Sequence, residues 1–247
     1  MRYRWLDLRR ERMQGNLRLS ATVVGAIRRR MEELGFVDLW TPSLTKGTPE
    51  GARDFLVPVR LQPGRFFALA QSPQLFKQLF MISGFDRYYQ IVTCYRDEDL
   101  RADRQFEFRQ LDLEMAFAER EDVLEVLEEA VVASFEALGR EPPSRPFPRL
   151  PWAEAMARYG SDKPDLRFGL EIGDFTEAFR GADFTITRDA IGKGGRVRGI
   201  KVSEGATLSR KQVDEVEAAA KTLGAAGLLR LKRQSGSLEG PAAKFLS

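Results

Sequence analysis

Residues 87–117 constrain the fold more than any other segment, because they have the pattern of two β-strands joined by a highly charged loop. Arg96 ends the first strand-like run and Asp112 lies in the second. Apolar and polar residues alternate along the second run, which predicts one buried and one polar face. Such a hairpin can hold an anionic ligand together with its countercharge. The predicted apolar face comprises Leu111, Leu113, Met115 and Phe117, and the alternate positions are Gln110, Asp112, Glu114 and Ala116.

The remaining hydrophobic periodicity predicts an α+β fold in which helices flank an antiparallel sheet. Five prolines between residues 141 and 151 predict an extended connector. From about residue 167 onward, a composition richer in glycine and alanine indicates a second, smaller α/β unit. The predicted helices are 17–34, 73–82 and 122–138, and the further predicted strands are 36–40 and 65–70.

Composition and motifs exclude several kinds of chemistry. The chain has no histidine and a single cysteine, Cys94, so it lacks the commonest general base, a disulfide framework and a cysteine-based structural zinc site. Neither of the glycine-rich fingerprints of nucleotide binding is present, and the glycines at 192–195 are more simply a turn than a phosphate cradle. A formal net charge of +3 is weak evidence for RNA binding. Without an apolar run of 18 residues, we expect a soluble intracellular protein.

Two polar segments precede or open predicted elements, and each has a plain structural alternative. The loop 48–54 places Glu50 between residues that favour turns, so it could bind a ligand or form a surface turn. Gln74 and Lys77 are three residues apart on one helix face, where they could hold a ligand. In the alternative, Ser72 only caps this helix and Lys77 is solvated.

The hairpin offers two further candidates. Arg96 could clamp a phosphate or carboxylate, or it could form an ordinary surface ion pair with Asp97 or Glu98. The alternating polar face of the second strand could bind a ligand or could simply face solvent. Each structural alternative is reasonable alone, but the occurrence of all these groups in one chain favours a binding site.

The segments that carry these candidates resemble the bacterial-type aspartyl-tRNA synthetases, a family of class II aminoacyl-tRNA synthetases. The hairpin at 87–117 resembles motif 2 of that class. The helix and strand that end at Thr41-Pro42 resemble motif 1, which forms the dimer interface of the class. The resemblance implies a catalytic domain at 1–166 with motifs 1 and 2, and an incomplete bacterial insertion (GAD-like) domain at 167–247. The matching segments are 4–10, 48–54, 71–78, 84–115 and 159–168.

The resemblance implies an aspartate–tRNA ligase, which activates aspartate with ATP to aspartyl-adenylate and transfers aspartate to tRNA. It also implies a homodimer, a cytoplasmic location, and Mg²⁺, whose family ligands are not in this chain. Attack of a carboxylate on the α-phosphate needs positioning and charge neutralisation rather than a protein nucleophile. By resemblance, Arg96 is catalytic and the loop 100–104 approaches the tRNA acceptor end. The implied aspartate-binding residues are Glu50, Gln74, Lys77, Arg96 and Asp112, and the implied ATP-binding residues are Arg96, Asp97, Glu98 and Gln105.

The sequence also departs from the family. No segment resembles motif 3 or the anticodon-binding barrel, so we expect a truncated ligase with impaired activity and an exposed strand edge. The family usually has proline where this chain has Ala70 and Phe106, and threonine where it has Arg109, whose charge could disturb the polar strand face. The alternatives are a non-catalytic paralogue that binds aspartate, an adenylate or a partner chain, and a fragment without function.

Overall fold

The computed structural model describes residues 2–48, 50–167, 169–234 and 236–246. The chain divides into two units, 1–147 and 148–247. The division falls inside the proline-rich segment 141–151, which contains no helix or strand, as expected for an extended connector. The assignment of functional domains to 1–166 and 167–247 stays a prediction.

The first unit contains both of the elements that the hairpin pattern predicts. Strands β5 (Arg87–Tyr95) and β6 (Glu107–Met115) are nine residues each and pair antiparallel, with Gln90 opposite Asp112. The helices of this unit are α1 (Arg4–Asp7), α2 (Glu11–Glu33), α3 (Gln74–Ile82) and α4 (Arg120–Ala137). Its strands are β1 (Val37–Asp38), β2 (Leu44–Thr45), β3 (Leu56–Pro58), β4 (Phe66–Leu69), β5 (Arg87–Tyr95) and β6 (Glu107–Met115).

The main sheet has the order β1-β5-β6. The α+β prediction is confirmed, but β1 pairs parallel with β5, with Val37 opposite Tyr88. The long connection between these two strands, through β2 to β4 and α3, permits that parallel pairing. In the described part of the chain β6 pairs on one side only, so its outer edge is open, as expected from the sequence.

The core of the first unit lies between the main sheet and the pair of helices α2 and α4. Met31, Phe36, Tyr89 and Val126 form a buried cluster. Leu111, Leu113 and Met115 pack against this cluster, which confirms the apolar face predicted for β6. Phe117 is the exception, because β6 ends at Met115 and Phe117 is fully exposed at a positive φ of 56°.

Element boundaries differ from the sequence pattern mainly where a helix has no apolar face. Helix α2 begins at Glu11 rather than at position 17. Its first turns are almost entirely exposed, so they carry no apolar stripe from which the sequence could predict them. It ends as predicted before Gly35, whose φ of 79° is the left-handed value that glycine tolerates best. Helix α3 begins directly after Pro73.

A second, smaller sheet has the order β2-β4-β3 and is antiparallel throughout. Thr45 pairs with Ala68 on one side of β4, and Leu56 pairs with the same Ala68 on the other. The loop 46–55 connects the two outer strands. The sheet therefore fixes both ends of the loop that carries Glu50.

The second unit is built from short helices and two small antiparallel strand pairs, β7 with β8 and β9 with β10. Phe179, Ala182 and Ala242 form its buried cluster. The glycines at 192–195 form a turn after α7, in which the amide of Gly195 donates to the carbonyl of Ala190 at 2.9 Å. None of the described helices is long and apolar enough to cross a membrane. The elements are α5 (Trp152–Tyr159), β7 (Ile172–Asp174), α6 (Thr176–Arg180), α7 (Thr185–Gly192), β8 (Arg198–Ile200), α8 (Arg210–Thr222), β9 (Lys232–Gln234) and β10 (Ser237–Glu239).

Candidate active site

Helix α3 brings Lys77 against the polar face of β6. The Lys77 ammonium lies 3.0 Å from an oxygen of Asp112 and 3.3 Å from an oxygen of Glu114. The side chains of Lys77 and Asp112 are each only 12% exposed. The alternatives of a solvated Lys77 and of a merely solvent-facing strand surface are therefore wrong at this position.

The electrostatics of this pair follow from its burial. Burial alone lowers the pKa of Lys77, but the hydrogen bonds and charges of Asp112 and Glu114 outweigh it and raise the pKa above 10.5. Burial also raises the pKa of Asp112 above 3.8, and Lys77 opposes that change. Within the described residues, Oδ2 of Asp112 has no hydrogen-bond partner of good geometry, although the Tyr88 hydroxyl also interacts with this carboxylate and helps to lower its pKa. The pair thus offers a fixed cation and a buried acceptor that can take a further hydrogen bond.

The strand opposite continues the polar face. The carboxamide oxygen of Gln90, directly across from Asp112, accepts hydrogen bonds from Thr41 at 3.0 Å and from Tyr88 at 3.1 Å. Tyr88 is fully buried, and burial, followed by the charge of Asp112, raises its pKa well above the ordinary value of 10.0. The phenol is therefore a neutral hydrogen-bond donor that fixes Gln90.

Arg96 lies where the charged loop leaves β5. Its backbone amide donates to the carbonyl of Phe106 at 2.9 Å, and its guanidinium carbon lies 5.2 Å from the ring centroid of Phe108. Among the described residues no carboxylate lies within 4.0 Å of Arg96, so the alternative of a surface ion pair is wrong. Asp97 pairs instead with Arg53, and Glu98 with Arg104. The Arg96 guanidinium is half-buried and available to an anion.

The first residues of the charged loop border a cavity of about 420 Å³. An Arg53–Asp97 ion pair of 3.6 Å and an Arg104–Glu98 ion pair of 3.3 Å lie in its wall. Asp97 and Glu98, two of the predicted ATP-binding residues, are thus both in this wall. Gln105 is exposed and does not line the cavity.

Ser72 links Glu50 to the first turn of α3, which carries Gln74. The Ser72 hydroxyl donates to a Glu50 oxygen at 2.8 Å and accepts from the backbone amide of Gln74 at 3.3 Å. Lys77 follows Gln74 by one helical turn. The structure therefore connects Glu50 with the start of α3, and α3 carries Lys77 to Asp112.

Sequence reasoning missed Gln71, which is only 1% exposed. Its amide nitrogen donates to the carbonyl of Ala52 at 3.0 Å and to an oxygen of Asp54. Its carboxamide oxygen has no hydrogen-bond donor within the described residues. The signal available in the sequence is a polar side chain placed directly between a predicted strand and the Ser-Pro start of a helix.

The three departures from the family pattern have local structural explanations. Arg109 lies opposite Thr93 on the neighbouring strand, and its side chain is on the other face of β6 from Asp112. The prediction that its charge could disturb the polar face is therefore wrong. Phe106 packs edge-on against Phe55 with ring centroids 5.7 Å apart. The amide of Ala70 donates to a backbone carbonyl at 3.0 Å, a bond that proline could not make.

The site contains no evident nucleophile or metal cluster. Burial raises the pKa of Cys94 to about 11, so its thiolate is scarce at neutral pH. The described residues contain no group of three or more His, Cys, Asp or Glu side chains that could hold a metal ion. The arrangement can bind and neutralise charged groups, with Lys77 and Arg96 as cations and Asp112 and Glu50 as acceptors.

Comparisons with known proteins show which family the chain resembles. Residues 1–219 match the family model described as tRNA synthetases class II (D, K and N). The chain is 51% identical over 247 residues to the aspartate–tRNA(Asp/Asn) ligase of Caldanaerobacter subterraneus subsp. tengcongensis, covering 100% of this chain and 42% of the relative. It is 52% identical over 249 residues to the aspartate–tRNA ligase of Stenotrophomonas maltophilia, covering 100% of this chain and 43% of that relative. The chain thus spans less than half the length of these relatives.

Solved structures share the fold of part of the chain. Asparaginyl-tRNA synthetase from Pyrococcus horikoshii, complexed with asparaginyl-adenylate, has a TM-score of 0.50 and 26% identity, covering 55% of this chain and 31% of that one. Asparaginyl-tRNA synthetase from Entamoeba histolytica has a TM-score of 0.55 and 23% identity, covering 67% of this chain and 40% of that one.

Proposed function

Because this chain belongs to the class II tRNA synthetases of the D, K and N type, we propose that it carries the amino-acid-activating part of an aspartate–tRNA ligase. The reaction joins L-aspartate and ATP to aspartyl-adenylate and pyrophosphate, and then transfers aspartate to tRNA. The buried Lys77–Asp112 pair, in which one oxygen of Asp112 can take a further hydrogen bond, is the observation that carries the proposal.

The amino-acid end of the proposed site has complementary charges for L-aspartate. The Lys77 ammonium would bind the side-chain carboxylate of the substrate through a charge-assisted hydrogen bond. Asp112, Glu50 and Gln74 would hold its α-ammonium group, for which Oδ2 of Asp112 is a suitable acceptor. Asparagine would present a neutral amide to Lys77, so the pair favours the charged substrate.

Arg96 is proposed to act at the reacting atoms. In the activation step an oxygen of the substrate α-carboxylate forms a bond to the α-phosphorus, and the bond to the leaving pyrophosphate breaks. No proton transfer or protein nucleophile is required, but negative charge on the phosphoryl oxygens must be neutralised. The Arg96 guanidinium, which has no carboxylate within 4.0 Å among the described residues, suits that role. Its loss would cost about 3 kcal/mol of transition-state stabilisation.

The ATP end is proposed to use the first part of the charged loop. Asp97 and Glu98, held by Arg53 and Arg104 in the cavity wall, would contact ATP, and Gln105 would approach it from the exposed side of the loop. Mg²⁺ is expected to accompany ATP, and the described residues include no group of three or more His, Cys, Asp or Glu side chains that could hold it.

The remaining partners follow from the same family membership. We propose that the loop 100–104 approaches the acceptor end of an aspartate-specific tRNA through phosphate contacts. We also propose a homodimer through the segment that ends at Thr41-Pro42, and a role in the cytoplasm, where a free buried Cys94 remains reduced. The functional division into a catalytic region at 1–166 and an insertion domain at 167–247 belongs to this proposal.

Binding of L-aspartate to the whole chain, measured by isothermal titration calorimetry, tests the proposal. Replacing Lys77 by methionine keeps the stem of the side chain and removes its charge, so L-aspartate affinity should fall at least about tenfold. Lys221→Met is the matched control, because Lys221 is an exposed helical lysine paired only with Glu217 among the described residues. A chain that binds neither L-aspartate nor ATP, or a Lys77→Met variant with unchanged affinity, would overturn the proposal.

A further inference from the structure

The loop that carries Glu50 is anchored at several points by the short segment between β4 and α3. Ser72 donates to the Glu50 carboxylate at 2.8 Å. The neighbouring Gln71 donates to the carbonyl of Ala52 at 3.0 Å and to the carboxylate of Asp54. The two consecutive side chains of Gln71 and Ser72 thus bind the loop at residues 50, 52 and 54.

Asp54 connects this anchor to the beginning of the same loop. One of its oxygens accepts from Gln71, and a Cβ atom added at Gly47 would lie 2.6 Å from the other. Such a distance is too short for a real Cβ contact, so a side chain at position 47 would displace the Asp54 carboxylate. The Asp54 carboxylate therefore lies between Gly47 and Gln71, and it leaves no room for a side chain at position 47 unless it moves away from its present place.

The burial of Gln71 is unusual for a glutamine, and its side-chain amide nitrogen makes the contacts that account for it. Glutamine is seldom buried to 99% unless its polar atoms are satisfied. The amide nitrogen has two acceptors, whereas the oxygen has no donor among the described residues. The two hydrogen bonds of the amide nitrogen are therefore the contacts through which Gln71 holds the loop.

We propose that Gln71 is a positioning residue for the amino-acid end of the site, which fixes the Glu50 loop so that the Glu50 carboxylate meets the α-ammonium group of L-aspartate. This inference rests on the proposed function. Gln71 acts through Glu50 rather than on the reacting atoms, so its removal should weaken recognition of the ammonium group and leave recognition of the carboxylates unchanged.

The test compares two ligands that differ in the ammonium group. Dissociation constants of L-aspartate and of succinate, which has the same two carboxylates and no ammonium group, are measured by ligand-observed NMR titration on the whole chain. Gln71→Met keeps nearly the same volume and removes both donors. We expect L-aspartate affinity to fall about tenfold and succinate affinity to change less than about twofold.

Gly47→Ala tests the hydrogen bond between Asp54 and Gln71 independently, because the added Cβ atom would push the Asp54 carboxylate away. This variant remains informative if Gln71→Met does not fold. It should lower the ratio of L-aspartate to succinate affinity in the same way, while Gln14→Met, on an exposed face of α2, should leave both affinities unchanged. Equal losses for both ligands would show that Gln71 only supports the fold and would overturn the inference. Unchanged affinities for L-aspartate and succinate in both Gln71→Met and Gly47→Ala would also overturn the inference. An unmodified chain that does not bind L-aspartate would overturn the proposed function itself.

Discussion

The carboxylate of Glu129 accepts hydrogen bonds from two arginines that belong to different parts of the first unit. Arg30 reaches it from α2, with Nε at 2.8 Å, and Arg145 reaches it from the connector. The Arg145 hydrogen bond, together with that of Arg30, lowers the pKa of Glu129 below 4.5, although burial opposes the change. A single side chain therefore holds together α2, α4 and the beginning of the proline-rich segment.

The lowered pKa of Glu129 predicts a pH-dependent stability. A carboxylate with a depressed folded-state pKa contributes stability above its unfolded value, and this contribution is lost as the pH falls through the folded value. Glu129→Gln should therefore lower the free energy of unfolding by about 1 kcal/mol at pH 7. The difference in the free energy of unfolding between Glu129→Gln and the unmodified chain should decrease below pH 4.5 and disappear at lower pH. Urea unfolding between pH 7 and 3 measures this difference, with Glu215→Gln as an exposed control. A stability difference that increases on acidification would contradict a stabilising role of the ionised Glu129 side chain.

Most of the individual residues of the candidate site could be predicted from the sequence because they belong to recognisable segments. The closeness of Lys77 to Asp112, however, follows from the packing of α3 against the hairpin, which no local pattern encodes. Gln71 was missed because its importance lies in burial, and burial of a polar residue depends on the loop folded over it. Arg109 was misjudged in its effect, although the period of two in β6 already placed it on the other face.

Helix α2 shows which part of an element the sequence specifies. Its second half carries the apolar stripe that packs against the sheet, and the helix ends at Gly35 as predicted. Its first half has no such stripe, and that part escaped prediction because a polar helix gives no periodic signal. The strand at 36–40 was predicted, but its parallel pairing with β5 was not, because the pattern of a short strand does not specify the direction of its partner.

The packing of α2 against the sheet predicts a large effect at Met31, which is fully buried in the cluster with Phe36, Tyr89 and Val126. Met31→Ala should lower the free energy of unfolding by about 3 kcal/mol, because it removes buried methylene groups and leaves a cavity. Leu19→Ala on the same helix, at a side chain that is 44% exposed, should cost less than about 1 kcal/mol. Urea denaturation followed by circular dichroism measures both, and equal effects of the two substitutions would argue against a core at Met31.

At the scale of the whole molecule, the two units are joined by a segment without helix or strand between residues 138 and 151. Arg140 and Arg149 are exposed in this segment, and Arg145 is followed by proline, which protects its peptide bond from trypsin. Brief digestion should therefore cut first after Arg140 or Arg149 and give two fragments that correspond to the two units. Mass spectrometry identifies the cuts.

The proteolysis experiment has its own internal control. Replacing both Arg140 and Arg149 by glutamine should slow the first cut without altering the circular dichroism of the chain. Early cuts within α2 or β5 of the unmodified chain would contradict the division into two units, because backbone held in regular hydrogen bonding resists cleavage.

The environment of Cys94 determines how the chain can be labelled with thiol-reactive dyes. The only cysteine of the chain is fully buried in β5, and burial raises its pKa to about 11. Maleimide and iodoacetamide dyes react with the exposed thiolate, so the folded protein should remain unlabelled at neutral pH. A cysteine introduced at an exposed position outside the proposed site, such as Gln14, would then be the one reactive thiol, so a fluorophore could be attached there without removal of the native cysteine.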